Sequence, residues 1–270
     1  MTRPIVVHPG FHKTGTTSLQ DALAANRAVL APHATVMLRA DMPAICRSAK
    51  VYSETRDALD LGVFSYELAC LLSEQALDDP RPLLLSCEDL CGLMPGRRGA
   101  TGYGAAAALA AAIVRVTAEV AGQGARPAFY ISTRRKGWLQ SLYWQLLLRD
   151  RLRLDQVEFK RLYRAAADLD AAARAVTRAV APSAVTVMAL EDMTGPLGPL
   201  DPVLDLLGIP PDLRARLTPP EQRNSKGGPK LRARMLDVNR GDLPDRQALI
   251  RRRRMLRQWQ DRYGRGNGPS

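Results

Sequence analysis

Histidine and cysteine, two side chains that commonly hold metal ions, are scarce in this chain of 270 residues. The three histidines are His8, His12 and His33, and the four cysteines are Cys46, Cys70, Cys87 and Cys91. Cys87 and Cys91 lie four residues apart, but no second Cys or His pair completes a zinc knuckle and no HExxH pattern occurs. We therefore expect no metal site, and free thiols rather than a disulfide framework.

Long hydrophobic runs are also missing. The longest candidate, residues 104–114, is Ala-rich and is followed by Arg115, so it falls short of the ~20 apolar residues of a membrane helix. A strand pattern begins at residue 4, which leaves no room for a signal peptide. These absences predict a cytoplasmic protein with no membrane partner.

Aromatic residues make up only 5% of the chain, although 46% of it is hydrophobic. The core must therefore consist mainly of Leu, Val and Ala. Strand patterns alternate with helix patterns, which predicts an α/β fold with a mainly parallel sheet and helices on both faces. No repeat or linker is visible, so residues 1–264 are predicted to form one domain and residues 265–270 a disordered tail.

Acidic residues are too few to balance the basic ones, and the formal net charge is +12. Residues 223–265 hold fourteen Lys or Arg against four Asp, a net charge of +10. Such a region needs an anionic partner or a solvated helix face. Residues 243–264 have the pattern of an amphipathic basic helix. Its Arg251–Arg254 run is typical of a solvated face, and binding of an acidic acceptor or nucleic acid is the alternative.

The most informative stretch is PIVVHPGFHKTGTTSLQ, residues 4–20. The β-branched run Ile5–Val7 predicts a buried strand, and Pro9 and Gly10 end it. Small, mostly hydroxylated residues then lead into a helical pattern that starts near Leu19. A strand, a tight loop and a helix N-terminus together bind phosphate, because free N–H groups and the helix dipole point at the anion. His8 and His12 flank the loop and are expected to pack or shape it.

The loop departs from the ATP-type P-loop, GxxxxGK[ST]. Gly10 and Gly15 keep the spacing, but Thr16 occupies the lysine position and the lysine comes earlier, as Lys13. The KTGTT pattern after a strand resembles the 5′-phosphosulfate loop of sulfotransferases, especially the bacterial carbohydrate-type branch. The resemblance implies a P-loop-like sulfotransferase architecture and 3′-phosphoadenosine 5′-phosphosulfate (PAPS) as the donor. It also implies that Lys13 contacts the transferring group, and that the donor-binding loop consists of Lys13, Thr14, Gly15, Thr16, Thr17 and Ser18.

A carboxylate pair follows the next buried strand, in PLLLSCEDL, residues 82–90. Glu88 and Asp89 stand at the carboxyl end of that strand, which is where α/β sheets bind ligands. A strand-S-x-E pattern is similar to that of bacterial sulfotransferases, and this favours Glu88 as the catalytic base. A helix-capping carboxylate is the alternative interpretation.

A third motif occurs in PAFYISTRRKGWLQSLYWQ, residues 127–145. A strand, then Arg134, then Ser141 in a helix resembles the family's 3′-phosphate site, in which Arg and Ser hold that phosphate together. Arg suits this role because its planar fork binds phosphate bidentately. Six residues separate Arg134 from Ser141 where the family usually has seven, so Arg135 remains an alternative. A basic solvated turn is the other interpretation.

A basic glycine-containing loop precedes the final helices, in QRNSKGGPKLRARML, residues 222–236. Its position is similar to that of the loop that closes over the 3′-phosphate in sulfotransferases. The resemblance implies donor contacts from Arg223, Ser225 and Lys226.

The remaining segments carry weaker patterns. Residues 40–56 are predicted to be irregular, because they include Pro43 and scattered charges. Helices are predicted over residues 57–77 and 155–180. The glycine-rich basic segment 93–103 is predicted to be a loop and a candidate acceptor lid.

The expected reaction is transfer of a sulfuryl group from PAPS to a hydroxyl, or an amine, of an acceptor that the resemblance suggests is a carbohydrate. The resemblance further implies that the transfer needs no metal, and that Lys13 neutralises the charge that develops on the bridging oxygen. Two other functions remain open. One is a P-loop nucleotide or small-molecule kinase, and the other is a non-catalytic polyanion or nucleic-acid binder that uses the basic C-terminal region.

Overall fold

Five parallel strands form the centre of the protein in a computed structural model that describes residues 3–220 and 227–263. Within these residues the strand order is β2-β3-β1-β4-β5, and every neighbouring pair runs parallel. The strands are β1 Ile5–His8, β2 Thr35–Leu38, β3 Leu83–Ser86, β4 Ala128–Thr133 and β5 Val185–Ala189.

Helices connect the strands and continue beyond the last one. In chain order they are α1 Thr16–Ala25, α2 Arg27–Leu30, α3 Pro43–Thr55, α4 Ala58–Ser73, α5 Ala106–Ala121, α6 Trp138–Arg149, α7 Gln156–Leu162, α8 Leu169–Val180, α9 Asp201–Leu206, α10 Pro211–Arg214, α11 Pro229–Arg240 and α12 Asp245–Tyr263. Short 3₁₀ turns cover Arg39–Asp41, Glu88–Cys91, Ala165–Ala167, Leu190–Asp192 and Gly198–Leu200.

The sheet has a hydrophobic core on each face, because successive side chains of a strand point to opposite sides. Ile5 and Val7 of β1 pack with α3, α4, α5, α6 and α8 in the larger core. Val6 lies in the smaller core, with residues of α1 and α9. The predicted α/β class, with a parallel sheet between helices, is therefore confirmed.

Two predictions of local structure were wrong. Residues 43–55 form helix α3 rather than an irregular segment. Pro43 starts the helix at its first position, where no backbone N–H is needed, and Cys46, Ala49 and Tyr52 are buried along one face. The single helix predicted over 155–180 is divided into α7 and α8 by a 3₁₀ turn, and the Asp168 carboxylate caps the start of α8.

The C-terminal helix is held by a buried arginine. Arg252 is 1% exposed, and its guanidinium donates to the carbonyl of Leu148 at the end of α6 and to Oδ1 of Asn239 in α11. The prediction of a wholly solvated Arg251–Arg254 face was therefore wrong at Arg252. None of the helices that the structure describes is long and apolar enough to cross a membrane.

Candidate functional site

The candidate site lies at the carboxyl edge of the sheet. β1 is central, with β3 on one side and β4 on the other, so the chain order changes direction there. Ligand crevices in open α/β sheets form at this position. The loop of residues 9–15 follows β1, Glu88 follows β3, and Arg134 follows β4. The sheet thus brings three of the sequence motifs to one edge.

The loop after β1 turns tightly at three residues. Gly10, Lys13 and Gly15 all have positive φ, at 45°, 69° and 96°. A Cβ on Gly10 would lie 2.5 Å from the Thr16 methyl group, so glycine is required there by space as well as by conformation. Thr14 holds the loop closed, because its Oγ1 donates to the Phe11 carbonyl and lies 2.7 Å from Ser132 Oγ on β4.

The N-terminus of α1 is available to an anion. Gly15 precedes the helix and offers no side-chain cap, and the first turn contains no acidic residue. The first N–H groups of a helix have no partner within it, and the helix dipole adds partial positive charge. The loop and the first turn of α1 therefore have the donors of a phosphate or sulfate site.

Lys13 extends from the loop to α6, where its Nζ donates to Oε1 of Gln145 at 2.8 Å. Burial lowers the pKa of Lys13 to about 8, and Arg149, one turn beyond Gln145, adds to the effect. The amine is still mainly protonated at neutral pH. The sequence patterns do not identify Gln145 or Arg149, because both lie within an ordinary helical stretch.

The two carboxylates after β3 have different neighbours. Glu88 accepts from Gln20 of α1 at 2.8 Å, whereas Asp89 contacts Lys50 of α3 at 3.1 Å and pairs with Arg39 at 2.6 Å. Burial raises the pKa of Glu88, but the Gln20 hydrogen bond and Arg39 favour the charged carboxylate, and that pKa lies below its ordinary value. Burial raises the pKa of Asp89. Of the two, Glu88 is the carboxylate hydrogen-bonded to α1, the helix that follows the loop.

The two arginines after β4 also diverge. Arg134 Nη1 donates to Ser141 Oγ at 3.1 Å and to the Lys13 carbonyl at 3.3 Å. Arg135 instead pairs with Asp192 on the exposed surface, with Nη1 2.6 Å from Oδ2. The structure therefore joins Arg134, Ser141 and the loop, although Arg134 and Ser141 are one residue closer in sequence than expected.

His8 and His12 are buried at the start of the loop and are held by hydrogen bonds and ring contacts. His8 Nδ1 is hydrogen-bonded to Ser86 Oγ at 2.8 Å, and its ring stacks on Tyr130. His12 is fixed through its backbone, since its N–H donates to the Tyr103 hydroxyl and its carbonyl accepts from Trp138 Nε1 at 2.7 Å. Burial lowers the pKa of His8 to about 4 and that of His12 to about 3, so both rings are neutral at pH 7.

One cluster within the described ranges has side chains of metal-binding type. Cys46 Sγ lies 3.2 Å from Cys87 Sγ, and an Asp89 oxygen is close to both sulfurs. Asp89 already pairs with two cations, Arg39 and Lys50, so its charge is balanced without a metal.

The basic glycine-containing loop was predicted to supply donor contacts from Arg223, Ser225 and Lys226. These three residues lie outside the described residues. Their predicted donor contacts stay predictions. No family model, curated protein or solved structure matches the chain.

Proposed function

We propose that the protein is a PAPS-dependent sulfotransferase of the P-loop type. The observation that supports it best is the meeting of the phosphate loop, Arg134 and Ser141 at one edge of the sheet. The loop offers N–H groups for one anionic group, and the Arg134–Ser141 pair offers donors for a second. Two separate phosphate sites suit a nucleotide that carries both a 5′-phosphosulfate and a 3′-phosphate.

The donor-binding residues suit such a nucleotide chemically. Residues 14–18 provide the amides and hydroxyls of the first site, and no acidic side chain lies in the first turn of α1 to repel an anion. Arg134 provides a planar guanidinium for the second. When bound, PAPS supplies an activated sulfuryl group, with adenosine 3′,5′-bisphosphate as the leaving group.

Two side chains carry the proposed chemistry. Lys13 is cationic at neutral pH and stabilises negative charge that develops beside the loop. Glu88 is ionised and accepts the proton of an acceptor hydroxyl or amine. Gln145 keeps the Lys13 amine at the site through its 2.8 Å hydrogen bond, which makes Gln145 a positioning residue.

Thermal and urea unfolding with adenosine 3′,5′-bisphosphate, AMP and Mg-ATP tests the proposal. A ligand at a hundred times its dissociation constant adds ~2.7 kcal/mol to the free energy of unfolding. We expect the bisphosphate to stabilise the protein strongly, AMP weakly, and Mg-ATP no more than AMP. The Arg134→Ala variant should lose most of the difference between bisphosphate and AMP. Arg135→Ala is the matched control and should keep it.

Other outcomes favour the alternative functions. Stabilisation by Mg-ATP without a response to the bisphosphate would replace this proposal with a kinase. Binding of polyanions with a steep salt dependence, unaffected by Lys13→Ala, would favour a non-catalytic binder. If the bisphosphate binds, release of bisphosphate from PAPS in the presence of hydroxyl-bearing acceptors tests turnover. Lys13→Ala should then reduce turnover far more than it reduces bisphosphate binding.

A further inference from the structure

A groove between α11 and α12 lies in the basic C-terminal region, which the proposed function leaves without a role. The groove has a volume of about 770 Å³. Its apolar lining consists of Val238, Leu243, Ile250 and Met255, and its charged lining of Arg234, Asp237, Arg251 and Arg254. Ile250 is 55% exposed, so this part of the apolar lining is open to solvent. The groove thus combines an apolar surface with a positive charge.

The arginines of the groove are not neutralised from within the described part of the chain. Arg234, Arg251 and Arg254 form no ion pair there. Asp237 is the one acidic residue in the lining, against three arginines. A partner that fills the groove should therefore be apolar along one face and acidic at its margins.

Helix α4 has a surface of this kind. Leu59, Val63 and Tyr66 are 80%, 50% and 68% exposed, and their i, i+4, i+7 spacing aligns them on one face. Gly62 lies on the same face, and a Cβ placed there would meet nothing within 4 Å. A glycine inside a helix is unfavourable for the helix, but it lets another backbone approach closely.

The charge of α4 is opposite to that of the groove. The helix contains Asp60 and Glu67 but no Lys or Arg. An amphipathic helix that lies in an apolar groove with anchors at i, i+4 and i+7 is a common mode of recognition. The exposed face of α4 and the groove between α11 and α12 therefore complement each other in polarity and charge.

We propose that the protein associates with itself, and that α4 of one copy docks into the groove between α11 and α12 of another. Nucleic acid would satisfy the arginines but would leave the apolar lining without a partner. The chain's own last residues, 264–270, contain an arginine, no acidic residue and no large apolar residue, so they do not complement the groove. A second copy supplies both properties that the groove requires.

The two surfaces differ, so one docking contact on its own is heterologous, whereas two reciprocal contacts about a two-fold axis form an isologous dimer interface. Stable interfaces bury roughly 1,200–2,000 Å² in total, and one short helix in one groove is at the low end of that range. Reciprocal docking, in which each copy inserts its α4 into the other, doubles the buried area. We therefore expect a dimer. If two copies cannot insert α4 into each other's grooves at the same time, we expect a closed ring instead.

Sedimentation velocity of the full chain tests the proposal. We expect the wild type to sediment as a dimer or ring at micromolar concentrations, and the association to weaken as salt rises. Gly62→Lys should sediment as a monomer, because it adds bulk and a positive charge opposite the arginines of the groove, although the open space around Gly62 lets it fold normally. Val157→Lys is the matched control. Val157 is 78% exposed on α7, outside both surfaces, so this variant should associate like the wild type.

Charge reversal identifies the two surfaces that touch. One variant carries Arg251→Glu and Arg254→Glu, and the other carries Asp60→Lys and Glu67→Lys. Each alone should be monomeric, because its altered surface repels the unaltered one. An equimolar mixture should associate again, since both contacts then join opposite charges.

Three results would overturn the proposal. The first is a wild type that remains monomeric over the whole concentration range, including one that binds an oligonucleotide as a monomer. The second is association that Gly62→Lys leaves intact. The third is a mixture of the two charge variants that stays monomeric while both variants show wild-type circular dichroism.

Discussion

The buried histidines of the loop make a quantitative prediction about stability in weak acid. His8 and His12 have folded-state pKa values of about 4 and about 3, against about 6.5 in an unfolded chain. Between these values the unfolded state binds more protons than the folded state. The stabilisation is therefore fully present above pH 6.5 and is lost as the pH falls towards 4 for His8 and 3 for His12.

The expected loss between pH 7 and pH 5 follows from the linkage relation. Each histidine lowers the free energy of unfolding by about 2 kcal/mol over this interval, and both together by about 4 kcal/mol. This is a large share of the 5–15 kcal/mol that typically stabilises a domain. The interval lies above the pH at which most carboxylates protonate, so it reports mainly on these two rings.

Urea unfolding at pH 7, 6 and 5 measures the effect. His8→Asn and His12→Asn should each remove about half of the pH dependence, whatever they do to stability at pH 7. His33 is exposed, and His33→Asn is the matched control that should leave the pH dependence unchanged. A wild type whose unfolding free energy is the same at pH 7 and pH 5 would refute the reasoning. A dependence that persists in the His8→Asn/His12→Asn double variant would also refute it.

Three further predictions concern the loop, Lys13 and α12. Acetic anhydride modifies the neutral amine of Lys13, and peptide mass spectrometry measures the rate. This rate should rise with pH with an apparent pKa of about 8. Arg149→Gln should raise this pKa, because a neighbouring positive charge is lost. A pKa unchanged by that variant would contradict the assignment. Thr14→Val should lower the urea-unfolding free energy by about 1–3 kcal/mol, since the Phe11 carbonyl and Ser132 lose their hydrogen-bond partner. Arg252→Met should also lower the free energy of unfolding by ~1–3 kcal/mol, because two buried acceptors lose their donor. Arg253 is exposed, so Arg253→Met should have little effect on the same quantity. Equal effects of the two variants would show that the buried hydrogen bonds of Arg252 contribute nothing.

The fold class and the tight loop after β1 could both be predicted from the amino-acid sequence. The β-branched run at residues 5–7 and the leucines at 83–85 allow little except buried strands, because neither run has a polar face. The spacing of Gly10 and Gly15 likewise predicted a tight loop before a helix, and both residues have the positive φ that favours glycine. These features are local, so they can be recognised from neighbouring residues alone.

Local patterns failed where a helix depends on its surroundings. Pro43 and the scattered charges of residues 40–56 suggested an irregular segment, but α3 forms there because its buried face packs on α4 and on the 3₁₀ turn Glu88–Cys91. Packing outweighs intrinsic preference in such a helix. The basic run of residues 251–254 was misleading in the same way, since only the fold shows that Arg252 points inward to two buried acceptors.

The contacts of neighbouring residues of the same type can be distinguished only in the tertiary structure. Glu88 and Asp89 are adjacent, yet Glu88 accepts a hydrogen bond from Gln20 of α1 and Asp89 accepts one from Lys50 of α3. Arg134 and Arg135 diverge in the same way, towards Ser141 and Asp192. Gln145 reaches Lys13 across 132 positions of sequence. Such choices depend on which elements the parallel sheet places side by side, and that information is distributed over the whole chain rather than contained in any motif.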